Sequence, residues 1–250
     1  MRFSGKTAIV TGSSSGIGRG VALAFAAEGA AVVVNFPTPA QASDANAVVA
    51  AIRQRGGRAM AVLADVSSEA DCARLIGECE AQFGPADTLV NNAGIANVAV
   101  VHEMPVAQWD LMFAVHVRGT FLMTRGVLPN MLARGRGRII NTASQLAYKG
   151  AAGFAHYTAA KGAIIAFTRS VALELGDSGV TINSVAPGAT RTPILADVPA
   201  ARMEEIRRAI PIGRLAEVDD IVPSYVFLAS EEGRHYQGQC ISPNGGDVFL

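Results

Sequence analysis

An α/β fold with a doubly wound parallel sheet is predicted by three features of this 250-residue chain. Short apolar runs rich in β-branched residues alternate with helix-length segments. The runs are hydrophobic on both faces, as strands are when helices cover the sheet above and below. A glycine-rich turn, Thr11-Gly12-Ser13-Ser14-Ser15-Gly16-Ile17-Gly18, joins the first run to the first helical pattern. A Rossmann-type sheet of about seven strands follows, with strands expected at 7–10, 31–35, 59–65, 88–91, 138–143, 181–185 and 239–242.

Half of the side chains are hydrophobic, enough for one full core, and no repeat or linker divides the chain, so residues 1–250 are read as one domain. The least regular stretch is 187–211, where four prolines flank a short helical pattern. That predicts a substrate-binding lid at about 188–212. Basic and acidic residues balance at 21 each, which removes the long-range field that nucleic acid or an anionic membrane would need. The expected partner is a small molecule. The chain opens without an apolar leader and holds no run of membrane-spanning length, so the expected location is the cytoplasm. Three sparse cysteines, Cys72, Cys79 and Cys240, suit a reducing compartment, and no cluster has metal-ligand spacing, so no metal is expected.

The glycine turn carries the first functional signal. Glycines at 12, 16 and 18 let the chain bend sharply and present bare N–H groups, at the positive end of a helix, to a pyrophosphate. Ser14, Ser15 and Ile17 belong to the same cradle. The lysine of a P-loop is missing, since Arg19 and Gly20 follow the last glycine, which argues against an NTPase. About 20 residues on, the acid that would bond adenine ribose hydroxyls is replaced by Asn35. Asn35 is expected to bond a ribose hydroxyl without charge, and no Arg or Lys beside it pairs with a 2′-phosphate. The cofactor is therefore read as NAD or NADP, leaning to NAD.

The second signal is chemical. The fifth expected strand leads into Ser144, and thirteen residues later Tyr157 and Lys161 stand four apart on one helical face. An ammonium there favours phenolate and is expected to lower the tyrosine pKa. Hydride transfer to a ketone needs a proton moving to oxygen, which such a tyrosine supplies as general acid and reclaims as general base. Ser144, at a strand's carboxyl end, is placed to hold the substrate oxygen.

At this point the chain resembles the short-chain dehydrogenase/reductase family in its simple, roughly 250-residue form. The resemblance extends in particular to the subset often labelled 3-oxoacyl-carrier-protein reductases. It rests on Thr11-Gly12 to Gly18, Asp65-Val66, Asn91-Asn92-Ala93-Gly94, Ser144, Tyr157 with Lys161, and Pro187-Gly188 through Thr192. It implies that Asp65 and Val66 contact adenine and that Asn92, Ala93 and Gly94 line the cofactor cleft. It also implies that Lys161 and Tyr157 border the nicotinamide ribose, and that Pro187, Gly188, Thr190 and Thr192 hold the carboxamide side. Family members are commonly homotetramers, and the ending from Gly238 through Phe249-Leu250 resembles their C-terminal edge and tail.

One position departs from the family pattern. Where the family usually has an asparagine that maintains a helix bulge and anchors a water, this chain has His116. Two readings stay open: a proton-relay member, counted among the catalytic candidates, and a structural replacement. His156 adjoins Tyr157 but faces about 100° around the helix, which predicts a surface or packing role. Ile95, Gln145, Ala147, Tyr148, Gly150, Ala151, His156, Ile194 and Leu195 make the expected substrate region mostly apolar, suiting an uncharged alcohol or ketone. A cofactor-binding sensor or scaffold without turnover is the alternative, but it has no need of Ser144, Tyr157 and Lys161 together.

Overall fold

The computed structural model describes residues 1–196 and 198–249. Asp197, inside the expected lid, and Leu250, in the expected apolar terminus, lie outside the described residues. The chain runs β1 (Thr7–Val10), α1 (Gly16–Ala27), β2 (Ala31–Phe36), α2 (Ala42–Gln54), β3 (Arg58–Leu63), α3 (Glu69–Phe83) and β4 (Thr88–Asn91). Then come α4 (Val106–Phe113), α5 (Gly119–Ala133), β5 (Gly137–Thr142), α6 (Leu146–Lys149), α7 (Ala155–Leu175) and β6 (Val180–Val185). The last elements are α8 (Ala200–Ala209), α9 (Val218–Ala229) and β7 (Cys240–Ile241).

All seven strands pair in parallel in the order β3-β2-β1-β4-β5-β6-β7. Because successive side chains of a strand point to opposite faces, each strand feeds two cores. Val10, Val34 and Val90 pack with Val21 and Phe25 of α1, Ile52 of α2 and Tyr225 of α9. Ile9, Val33 and Leu89 pack with Leu75 of α3, Met123 and Met131 of α5, and Leu175 of α7. Burying such a side chain contributes roughly 1.5–3 kcal/mol, so the two layers fix the sheet before any ligand is considered.

The winding reverses between β1 and β4, and the carboxyl ends of these strands open a crevice where such sheets bind ligands. Element boundaries differ from the sequence reading for physical reasons. Helix α1 begins at Gly16, three residues before the apolar periodicity starts, because its first turn is glycine-rich and carries no such pattern. Strand β3 ends at Leu63, before Asp65. There the Asp71 carboxylate accepts the Asp65 N–H (2.8 Å) and the Asp65 carboxylate accepts from Ser67 N–H (2.9 Å), which turns the chain out of the sheet. Strand β7 is only two residues long, and Pro243, which lacks an N–H, follows soon after. Among the described residues no helix is long and apolar enough to cross a membrane.

Candidate active site

The β1–α1 turn is shaped from behind by side chains. Gly12 has φ +59°, and a Cβ on it would stand 2.7 Å from the Ala93 Cα, so glycine is required twice over. Its N–H is accepted by Asn35 Oδ1 at 3.0 Å. Asn92 Nδ2 donates to the carbonyls of Thr11 (2.9 Å) and Gly12 (3.0 Å), while Thr11 Oγ1 accepts from the N–H groups of Asn92 and Ala93. A Cβ on Gly18 would collide with Asn92 Nδ2 and the Gly12 carbonyl, so the turn and the start of α1 are closely packed together.

Helix α1 opens on this turn without a cap. Ser15 makes no side-chain capping bond and the first turn holds no acidic residue. By contrast, α3 is capped by Ser68 with Glu69 and Asp71 nearby, and α9 carries a reciprocal capping box between Glu217 and Asp220. At an uncapped, acid-free N-terminus the partial positive charge and free N–H groups favour an anion, and at α1 they follow directly on the glycine turn at the crevice. That is the observation of fit for a pyrophosphate-bearing cofactor.

Asn35 differs from its expected role. It is 1% exposed, and besides holding Gly12 its Nδ2 donates to the carbonyls of Ala64 (2.9 Å) and Val62 (3.3 Å). With its amide turned inward, it shapes the turn instead of offering a group to a ribose. Asp65 and Val66 follow β3 beside the same crevice, and Gly119 packs so closely on Val66 that a Cβ would stand 2.8 Å from Val66 Cγ2.

Opposite the glycine turn, the loop after β6 closes the crevice. The Gly188 carbonyl accepts from Thr190 Oγ1 at 2.9 Å, and the side chain of Thr192 reaches over to α1, 3.5 Å from where a Cβ on Gly16 would be. Pro187 is buried, and its carbonyl accepts the Gln145 N–H at 3.1 Å. Among its described residues, the expected lid holds a 3-10 turn, Pro193–Leu195, and then α8.

The chemical side chains stand on β5 and α7. A buried ladder fixes α7 against the sheet. Asn91 Nδ2 donates to Thr124 Oγ1 (3.0 Å) and Asn141 Oδ1 (2.9 Å), and Asn141 Nδ2 donates to Thr168 Oγ1 (2.9 Å). Above it, Lys161 is 3% exposed and donates from Nζ to the Thr142 carbonyl at 2.6 Å. The same nitrogen lies 5.7 Å from the centre of the Tyr157 ring, so the four-residue spacing does put both groups on one face. Ser144 lies just beyond β5, where its Oγ accepts the Leu146 N–H at 3.1 Å, and its hydroxyl acts to lower the pKa of the Tyr157 phenol.

The electrostatics correct one expectation. Burial pushes the Tyr157 phenol above its ordinary value, and the neighbouring Ser144 hydroxyl offsets this only in part. Lys161 does not reverse it, because burial lowers its own pKa to about 7 and its nearest partner is a backbone carbonyl. Desolvation of the charged forms wins over the attraction expected from spacing alone.

His116 lies in a π-helical turn, Ala114–Arg118, that joins α4 to α5, so the expected helix bulge is present. The ring is buried, edge-on to Tyr157 at 5.5 Å between centroids. Its Nε2 lies 3.1 Å from the Ile95 nitrogen and 2.8 Å from the Ile95 carbonyl oxygen, while Nδ1 has no partner among the described residues. Gly94 makes room for it, since a Cβ there would stand 2.5 Å from Cε1. Burial, and then the Lys161 charge, hold the imidazole well below its usual pKa. His156 is fully buried: Nε2 bonds Asn97 Oδ1 at 2.6 Å, which is a packing role and no surface one. Sequence reading missed Asn97 and Asp247 as residues that shape the site, since each acts on groups far along the chain.

A parallel sheet with an open anion cradle at its switch point, flanked by serine, tyrosine and buried lysine, defines the class of dinucleotide-dependent oxidoreductases. The family description for short chain dehydrogenases matches residues 6–203. The chain is 39% identical over 246 residues to a 3-oxoacyl-(acyl-carrier-protein) reductase of Synechocystis sp., covering 98% of both chains. It is 38% identical over 245 residues to a cis-4-hydroxycyclohexanecarboxylate dehydrogenase of Sinomonas cyclohexanicum, covering 98% of this chain and 97% of that one. A D-beta-hydroxybutyrate dehydrogenase of Cupriavidus necator is 38% identical over 260 residues, with 98% and 99% covered. The chain belongs to the short chain dehydrogenase family, and it is an NAD(P)-dependent oxidoreductase acting on alcohol or ketone groups.

Proposed function

We propose that the enzyme interconverts a secondary alcohol and its ketone, with Tyr157 as general acid and base. The observation that carries this reading is the meeting of Ser144, Tyr157 and Lys161 at the crevice mouth. In reduction, the Ser144 hydroxyl holds the substrate oxygen and the Tyr157 phenol donates its proton to it. A phenol raised by burial keeps that proton until the oxygen needs it. In oxidation the same phenol oxygen takes the proton back. The nicotinamide cofactor, when bound, supplies or accepts the hydride. Lys161, tethered to Thr142, stands beside Tyr157 and would bond the nicotinamide ribose.

Gly12, Ser14, Ser15, Gly16, Ile17 and Gly18 would cradle the pyrophosphate, with Asn35 and Asn92 acting through the turn. Asp65 and Val66 would border the adenine, Ala93 and Gly94 the cleft, and Pro187, Gly188, Thr190 and Thr192 the carboxamide. NAD is the preferred cofactor in this reading. Support comes from Phe36, Pro37 and Thr38, which bring no cation to the end of β2 for a 2′-phosphate. His116 is read as the structural replacement for asparagine, because its bonded nitrogen faces only Ile95 backbone. The stretch 188–212 is read as the lid of the single domain.

The names of the relatives support the substrate class: a 3-oxoacyl group is a ketone, and 4-hydroxycyclohexanecarboxylate and β-hydroxybutyrate are secondary alcohols. Exposed Val106, Leu111 and Phe121 on α4 and α5 support assembly as a homotetramer through these helices. Cytoplasmic location and independence from nucleic acid and membranes agree with the balanced charge.

A panel of ketones and secondary alcohols, followed by nicotinamide absorbance with NAD and NADP in parallel, tests the reading. Tyr157→Phe is expected to lower kcat by about 100-fold or more while cofactor binding persists. A Tyr157→Phe enzyme as fast as its parent would remove tyrosine from the chemistry. Binding of cofactor without turnover on any substrate would favour the sensor or scaffold.

A further inference from the structure

The C-terminal tail is knotted by its own bonds against the mouth of the sheet. Asn244 Nδ2 donates to Ser242 Oγ (2.9 Å) and to the Val248 carbonyl (2.8 Å), and its Oδ1 accepts the Gly246 N–H (2.8 Å). Three loops of the site converge on this knot. The Pro243 carbonyl accepts the Gly188 N–H at 3.1 Å, and a Cβ on Gly188 would stand 2.7 Å from the Asn244 Cα. The Gly245 carbonyl accepts the Ile212 N–H at 3.2 Å, just beyond α8. The third loop is the one that carries Ser144.

Asp247 makes that third link. Its carboxylate, 6% exposed, accepts from Gln145 Nε2 at 2.7 Å and from Lys149 Nζ at 2.6 Å on both oxygens. A carboxylate has no proton to give, so the Gln145 amide must turn its nitrogen toward Asp247. Its Oε1 then lies buried and unpartnered among the described residues, 3.2 Å from where a Cβ on Gly188 would be. Gln145 directly follows Ser144, and its own N–H is held by Pro187. Ser144 is thus fixed from one side by β5 and from the other by a residue about a hundred positions away.

We propose that Asp247 is a positioning residue of the reaction: through Gln145 and Lys149 it sets where the Ser144 hydroxyl stands relative to the Tyr157 phenol. This rests on the reading of Ser144 and Tyr157 given above. The tether is built on donor and acceptor order, so exchanging that order at both ends should restore it. Gln145→Glu combined with Asp247→Asn makes residue 145 the acceptor and residue 247 the donor. It also keeps one negative charge near Lys149.

The test uses the full chain and the fastest ketone of the panel. Asp247→Leu, which has neither donor nor acceptor, is expected to lower kcat about tenfold, since small displacements of a positioned group cost that much or more, while cofactor affinity stays within about twofold. Amide hydrogen exchange over 145–149 should quicken in the same variant. The double variant should return kcat to within about threefold of the parent. Parental turnover in Asp247→Leu, or a double variant no faster than Asp247→Leu, overturns the proposal. Where Asp247→Leu does not fold, Gln145→Leu breaks the same tether and leaves Asp247 paired with Lys149. It is expected to lose the same tenfold or so, and full activity there overturns the proposal equally. Tyr157→Phe is run alongside. If it retains turnover, the reading of the site falls and the positioning role falls with it, whereas loss in Tyr157→Phe with no loss in Asp247→Leu overturns the tether alone.

Discussion

The two halves of the site are built from different material. On the β1–α1 side, the proposed cradle is backbone, held in shape by Thr11, Asn35 and Asn92 from behind. On the β5–α7 side, the proposed chemistry belongs to three side chains, those of Ser144, Tyr157 and Lys161, carried at the end of β5 and on α7. Changes in the first half should therefore act through shape and be read as cofactor affinity or stability. Changes in the second should act through protons and be read as turnover and pH dependence.

The sharpest way to break the comparison lies at Gly12. Gly12→Val places a β-branched residue at φ +59°, with its Cβ 2.7 Å from the Ala93 Cα. Strain of about 3 kcal/mol is expected, so cofactor affinity should fall roughly a hundredfold. Nicotinamide fluorescence titration measures it. Loss of kcat at saturating cofactor, with affinity intact, would mean that this half also takes part in the chemistry.

Lys161 sharpens the other side. In the unfolded chain its ammonium titrates near 10.5, and in the folded chain burial brings it to about 7. Between those values the unfolded chain holds one proton more, so this group makes stability rise as pH climbs from about 7 toward 10.5 and adds no slope below 7. Lys161→Met removes the effect. Denaturant titrations of parent and variant should therefore diverge in the parent's favour across that window. A gap that stays constant from pH 7 to 10 would show that the ammonium remains charged in the folded protein.

Asn35 tests whether the cofactor half really works from behind. Asn35→Asp cannot donate to the Ala64 and Val62 carbonyls and places a carboxylate in a site 1% exposed. A stability loss of about 1–3 kcal/mol is expected, with the ratio of NAD to NADP use unchanged. A shift of that ratio toward NAD, with stability intact, would return Asn35 to the ribose.

These residues also mark how far the sequence was legible. The strands, the glycine turn and the Tyr157–Lys161 face could be read because each is a local pattern: a short continuous apolar run, glycines clustered between strand and helix, or a spacing of four. The inward turn of Asn35 could not be read, because the acceptors that claim its amide, Val62 on the next strand and Ala64 just beyond it, lie 27 and 29 residues away. Tyr157 shows a different limit: spacing identified its cationic neighbour, but burial, which decides the direction of the pKa, depends on the whole fold. Asp247 shows the extreme, with partners 98 and 102 residues away and no sequence motif to connect them.

His116 offers the smallest expected effect and the finest test of the contrast, because it touches Tyr157 on one side and loop backbone on the other. A single Nε2 faces both the N–H and the carbonyl of Ile95, and one ring nitrogen serves only one of them at a time. An asparagine carries a donor and an acceptor on separate atoms, so His116→Asn should satisfy both and leave turnover within about threefold of the parent. The ring is held neutral by burial, whereas an unfolded histidine gains its proton near pH 6.5, so parental stability is lost as pH falls below about 6.5. The variant should lose less over the same range. Gly94→Ala, whose Cβ would press on the imidazole, should harm the parent more than it harms the asparagine variant. A tenfold drop in turnover for His116→Asn would instead place the imidazole on the proton path. A tenfold rise would mean that the native ring holds the site short of its best rate.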